Sequence, residues 1–236
     1  MKRRLFLLAT VFAILLTASC AFKKNDDIPP VKIDASNVDE YLLKLPEYDK
    51  ISVNIDKSKF TEELTDEYIT RYYERLAKDI DGLTDGEGNV LPLSDETIKR
   101  LNHPAFSNIN EYKVFIRHTV EGFIDKENDD KKINAALKIM RDDAEFADIP
   151  ESFVKECSDR ILADYEEIAA VYDISSDDYF RLSEASLDDE AYADAQNELI
   201  FIKLADRIGL EYSNRDQMVK GVRDYLLSII KLSNKK

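Results

Sequence analysis

The chain has 236 residues, with 33 Lys or Arg, 48 Asp or Glu and a net charge of −15 at pH 7. This acidic excess argues against nucleic acid as a partner, because contacts to phosphates require clustered basic side chains, and against adsorption of the body on anionic lipid. The length suits one large domain or two small ones, and with only Cys20 and Cys157 no disulfide framework is expected.

The first 19 residues have the pattern of a secretion signal. Three basic residues open the chain, and residues 5–16 are apolar except for Thr10. That run is shorter than the about 20 residues of a permanent membrane span. Small residues at 17–19 precede Cys20, an arrangement that resembles the bacterial lipobox, although Leu16 lies one position earlier than the commonest pattern places it.

The lipobox resemblance implies that the chain is cut before Cys20 and that the Cys20 thiol carries lipid. The remaining 217 residues, with 30 basic and 48 acidic side chains, would then stay in water while the lipid holds them at the outer face of the cell membrane. The alternative is an ordinary signal peptide followed by an incidental cysteine.

Residues 20–44 are polar around Pro29-Pro30 and predict a tether. The stretch "YDKISVNI" (Tyr48–Ile55) places apolar residues at alternate positions, which is typical of a half-buried strand. Thr65 is expected to cap a helix whose apolar face includes Ile69 and Tyr73. A glycine-containing loop, 79–92, then leads to a short helix that begins at Ser94.

Beyond Asn110 the apolar spacing is helical almost throughout. It predicts a helix of 30 residues or more from Asn110, and Pro150 suits the first turn of the next helix. Further helices are predicted at Asp177–Ala185, Asp188–Ile208 and Asn214–Leu232, the second of them ended by Gly209. The predicted fold is therefore mostly α, an elongated bundle of long helices with arms and one short N-terminal strand region.

Few residues offer catalytic or metal-binding chemistry. His103 and His118 have no clustered Cys or His partners, so no zinc site is predicted. The acidic loop 79–92 fails the EF-hand spacing in the two registers that place Gly82 or Gly86 sixth, which favours an acidic turn over a calcium site. Cys157 lies on an apolar helix face and is expected to be a buried free thiol. No catalytic residue, metal or cofactor is predicted.

The aromatic residues are more informative, because several lie where apolar residues exceed a single helix face. They either fill the core or form a partly exposed surface that holds other chains. The candidates for such client contacts are Tyr172, Tyr179, Phe180, Tyr192 and Phe201.

Three segments resemble trigger factor-like proteins. "LPEYDKISVNIDKSKFTEELTDEYITRYYERLA" (Leu45–Ala77) is similar to their segment in which a turn leads into a strand and a helix. "LPLSDETIKRLNHPAFSNINEYKVFIRHTVEGFIDKE" (Leu91–Glu127) and "ADIPESFVKECSDRILADYEEIAAVYDISSDDYFRL" (Ala147–Leu182) are similar to successive parts of their C-terminal chaperone domain. The resemblance covers most of residues 45–236 and divides them into 45–90, with a strand, a helix and a loop, and a helical cradle at 91–236.

The resemblance implies a cradle, shared with SurA-like chaperones, that holds unfolded or newly secreted proteins without ATP. The FKBP-type prolyl isomerase domain of the family has no room here, because only a loop of about 13 residues stands in its place. The sequence therefore predicts a lipid-anchored, non-enzymatic holdase. The alternatives are an interaction lipoprotein that docks a single surface partner and, with less support, a prolyl isomerase with an unrecognised site.

Overall fold

The computed structural model describes residues 31–78, 80–172 and 186–233. This part of the chain is mostly α, as predicted. Its helices are α1 (Glu62–Lys78), α2 (Asp95–Arg100), α3 (Ile109–Asp143), α4 (Glu151–Tyr172), α5 (Leu187–Arg207) and α6 (Arg215–Ile229). Its strands are β1 (Leu42–Lys44), β2 (Ser52–Val53), β3 (Glu145–Phe146) and β4 (Lys231–Leu232), and a 3-10 helix covers Val38–Glu40. The whole of the predicted helix Asp177–Ala185 lies outside the described residues.

Contacts divide the chain into two units. One is Asp56–Asn128, and the other combines the residues up to Ile55 with those from Asp129 onward. This division differs from the predicted segments 45–90 and 91–236. The reason is that α3 supplies its first half to one apolar core and its second half to the other, so no boundary falls at residue 90.

In the Asp56–Asn128 unit, α1, α2 and the first half of α3 enclose one apolar core. Its buried members are Ile69, Tyr73, Ala77, Leu83, Ile98, Leu101, Phe106, Tyr112, Ile116, Val120 and Ile124.

The predicted start of α1 at Thr65 is wrong. The helix begins at Glu62, where the Thr61 hydroxyl accepts a hydrogen bond from the Leu64 N–H, and Thr65 is buried inside the first turns. Ser94 caps α2 in a capping box with Thr97, as its sequence suggests.

In the second unit, α5 lies at the centre. It packs against α4, α6, β1 and the 3-10 helix, and its residues 198–202 are all buried. The helix is therefore surrounded by apolar contacts on several sides, which explains why "LIFI" exceeds one helical stripe. The end of α5 matches the prediction, since Gly209 follows it with a φ of 65°.

The N-terminal part of this unit corrects the predicted tether. Within residues 20–44, the described part from Val31 onward is folded into the unit, and Ile33, Val38 and Leu42 belong to its core. β1 pairs antiparallel with β3, with Leu42 opposite Phe146. The apolar residues at 33, 38 and 42 were too widely spaced to form a helix or strand pattern, so the burial was not visible in the sequence.

Two further short segments close the unit. β2 pairs in parallel with β4, and Ile51 and Val53 are buried while Ser52 is exposed, as the alternating pattern predicted. The predicted end of the last helix at Leu232 is wrong: α6 ends at Ile229, and the chain becomes extended because Lys231 and Ser233 donate backbone hydrogen bonds to Ile51 and Val53.

Candidate functional site

The predicted client-contact residues have different environments. Tyr192, on α5, is exposed to 44% of its maximum, which leaves its ring available to a partner. Phe201 is only 7% exposed and belongs to the core, so its prediction as a contact residue is wrong. The side chain of Tyr172, at the end of α4, and the whole of Tyr179 and Phe180 lie outside the described residues, as does the predicted lipidation site Cys20.

A charged cluster joins three helices in the second unit. Glu198 and Asp194 lie one turn apart on α5, and Glu198 is 8% exposed. Its carboxylate accepts hydrogen bonds from Arg160 of α4 and, at 2.8 Å, from Nε of Arg215, the first residue of α6. Arg160 also lies 3.2 Å from the Asp194 carboxylate. The buried negative charge of Glu198 is thus shared by two guanidinium groups.

The Cys157 thiol lies at the same place. It is fully buried, as predicted, and the Arg160 guanidinium donates a hydrogen bond to Sγ at 3.2 Å. Burial raises the pKa of the thiol to about 12, and the nearby carboxylates of Asp194 and Glu198 add to this although Arg160 opposes it. Cys157 is therefore a protonated thiol and a weak nucleophile at neutral pH.

Cys157, Asp194 and Glu198 also form the kind of group that could hold a metal ion, since their ligand atoms lie within 4.8 Å of one another. A metal does not fit here as the side chains stand. The Arg160 guanidinium makes hydrogen bonds to all three, so it occupies the position of the cation. The burial that would lower the pKa of Arg160 is outweighed by these acidic partners, and the guanidinium keeps its charge.

The cluster opens into a recess of about 370 Å³. Its lining residues are Arg160, Ile161, Ala163, Asp164, Asp194, Arg215 and Asp216. Loss of hydration raises the pKa of Asp164, and the neighbouring charge of Glu167 raises it further. With both signs of charge on its walls, the recess can bind a polar or charged group, such as a side chain of a partner.

Sequence reasoning missed this cluster because it treated the charged residues one at a time. A usable signal was present. Arg160 follows Cys157 by three positions, so it lies beside the apolar stripe of α4, and Glu198 lies on the same face of α5 as Ala195 and Ile202. A charged residue on a buried helix face requires a partner. The two helices that carry these residues were predicted, but their mutual contact depends on the packing.

The histidines have the environments expected of packing and surface residues. The His103 ring stacks on Phe106 with a centroid distance of 4.3 Å. His118 is exposed, and its Nδ1 lies 3.4 Å from Glu121. In the acidic loop, the Asp85 carboxylate accepts hydrogen bonds from the N–H groups of Glu87 and Asn89, each at 2.9 Å, and so organises a turn.

Comparisons with protein-family models, curated proteins and solved structures found no match to this chain. Among the residues that the structure describes, no helix combines the length and the apolar character needed to cross a bilayer.

The environment of Cys157 predicts very slow thiol chemistry in the folded protein. In a Cys20→Ser variant, Cys157 is the only thiol, and we expect a disulfide reagent at pH 8 to modify it only as fast as the unit opens. Urea should raise the modification rate by orders of magnitude, since unfolding returns the thiol to its ordinary pKa of about 8.5. Rapid modification without urea would contradict the buried position.

Proposed function

We propose that this chain is a lipid-anchored, extracytoplasmic holdase that binds unfolded exported proteins without ATP. The observation that carries the proposal is the ordered resemblance of residues 45–182 to the chaperone part of trigger factor-like proteins. Two helix starts support it: α2 begins within "LSDE" and α4 begins at "IPE", the positions at which the resemblance implies helices. The signal-like residues before Cys20 support the location.

Holding would depend on exposed aromatic rings in an acidic surface. Tyr192 is the candidate that the structure leaves exposed. A large side chain buried on a client contributes about 1.5–3 kcal/mol, so several weak contacts give affinities of about 1 μM, which is suitable for reversible holding. The large negative charge of the body would limit self-association.

The experiment that tests holding is aggregation of unrelated unfolded clients, followed by light scattering. The protein at several-fold excess should delay aggregation of each client without nucleotide. A Tyr192→Ser variant should delay it less. The control is Tyr212→Ser, which removes an exposed ring from the loop before α6 and measures the effect of losing a ring elsewhere. No delay with any client would remove the chaperone proposal.

A second candidate, docking of one surface partner, is favoured by two features. In the described ranges, the large apolar residues that are exposed are few: Leu43, Val114, Tyr192, Tyr212 and Leu232. The charged recess beside Arg160 and Arg215 also suits a specific side chain better than a general apolar segment. Capture of one stoichiometric partner by the acylated protein, without suppression of aggregation, would favour docking.

A prolyl peptide assay on the same samples would test the isomerase alternative, for which no residue is proposed.

The anchor gives a separate prediction. Cys20→Ala should abolish lipid attachment and leave the precursor unprocessed, because the thiol is the only position to which the lipid can be attached in the lipobox pattern. Mass spectrometry of the mature N-terminus measures both effects. A mature protein that begins at another residue, without lipid, would contradict the anchor.

A further inference from the structure

The folding of residues 31–44 into the second unit shortens the chain available as a tether. The tether predicted from composition reached residue 44, but Val31 already belongs to the folded unit, and its N–H donates a hydrogen bond to the Ser152 hydroxyl at 3.2 Å. Ser152 lies in the first turn of α4. Only residues 21–30 separate this contact from Cys20.

Several independent contacts hold residues 31–44 in place. Val38 and Leu42 are almost completely buried in the main core, and the Ala147 N–H donates to the Tyr41 carbonyl at 2.9 Å. The Asp39 carboxylate pairs with Lys203 of α5 at 2.9 Å. Because these contacts involve β3, α4 and α5, the segment is an integral part of the unit and does not act as a spacer.

We propose that the second unit works at the bilayer surface, with the start of α4 within about 40 Å of the lipid headgroups, since ten residues cannot span more in any conformation. This inference rests on the lipid anchor at Cys20 in the proposed function. The 22 residues of α4 extend about 33 Å. Because the holdase proposed above binds unfolded exported proteins, its clients would be bound at or near the outer membrane–water interface.

The test measures energy transfer from α4 to the bilayer. The acylated Lys155→Cys protein carries a donor dye at position 155, an exposed site one turn beyond Ser152, while Cys157 stays buried. Phosphatidylcholine vesicles carry the acceptor in their headgroups. We expect strong transfer, and we expect about half of it to be lost when 20 Gly and Ser residues are inserted between Ala21 and Phe22, because a flexible insert increases the reach.

A pair of substitutions in β1 tests whether the packing of residues 31–44 on the unit limits the distance to the bilayer, independently of the inserted residues. Leu42→Asp places a charge in the core and should release the segment, so transfer should fall as with the insertion. Leu43→Asp, on the exposed side of the same strand, should leave transfer unchanged. Circular dichroism shows whether the Leu42→Asp protein keeps its helices. If the protein loses them, the insertion variant alone tests whether the tether limits the distance of α4 from the bilayer.

The outcomes distinguish the spacing from the anchor and from the holding activity. Protein that does not float with the vesicles would overturn both the anchor and the spacing. Protein that floats, but shows no transfer from position 155 or transfer insensitive to the insertion, would overturn the spacing alone. Neither result depends on whether the protein suppresses aggregation.

Discussion

Glu198→Ala is expected to lower the free energy of unfolding of the second unit by about 3–5 kcal/mol. The substitution leaves the Arg160 and Arg215 guanidinium groups without the carboxylate that both contact. Arg160 is also the partner of Cys157 and Asp194, so the loss affects the junction of α4, α5 and α6. Urea unfolding followed by circular dichroism measures the change.

Glu156→Ala is the matched control for this prediction. Glu156 also pairs with Arg160, at 3.4 Å, but its side chain is 59% exposed. An exposed pair on one helix contributes little, so we expect a change within about 0.5 kcal/mol. Equal effects of the two substitutions would show that the buried cluster has no special role in holding the three helices together.

Phe201→Ala is expected to destabilise the second unit by about 3–5 kcal/mol, because it removes a buried ring from the central helix and leaves a cavity. Tyr192→Ser, on the same helix, removes an exposed ring and should change stability by about 0.5 kcal/mol or less. Client holding should show the opposite order when assayed on folded protein. The pair therefore separates a packing role from a contact role.

The contradicting results for this pair are equally distinct. A stable Phe201→Ala variant would show that the ring is not part of the core. A strongly destabilised Tyr192→Ser variant would show that its exposed ring supports the fold, and the remaining support for a client surface on α5 would be lost.

Local patterns were sufficient to predict much of the fold. The 35 residues of α3 follow from continuous helical spacing without proline, and α2 follows from Ser94 as its cap. Gly209 predicted the end of α5, because glycine readily adopts the positive φ that is common just after a helix, and the structure gives it a positive φ. Each of these features depends on residues close together in the sequence.

The errors arose where distant contacts decide the structure. Residues 31–44 have no periodic pattern, yet contacts with α4, α5 and β3 fix them. Residues 231–232 continue an apolar helical pattern, but pairing with β2 makes them a strand. Phe201 was placed on a surface because α5 has more apolar residues than one stripe needs, and the cause is burial on several sides. The Glu198 cluster likewise depends on three helices meeting.

The most direct test of an anchored holdase is recovery of clients on floated vesicles. Acylated protein on phosphatidylcholine vesicles is mixed with several unrelated proteins, each supplied either unfolded or folded, and the floated fraction is analysed. The account predicts that the unfolded forms of all of them float, that the folded forms do not, and that Cys20→Ala protein carries none. Recovery of no unfolded client, although the acylated protein itself floats, would contradict it.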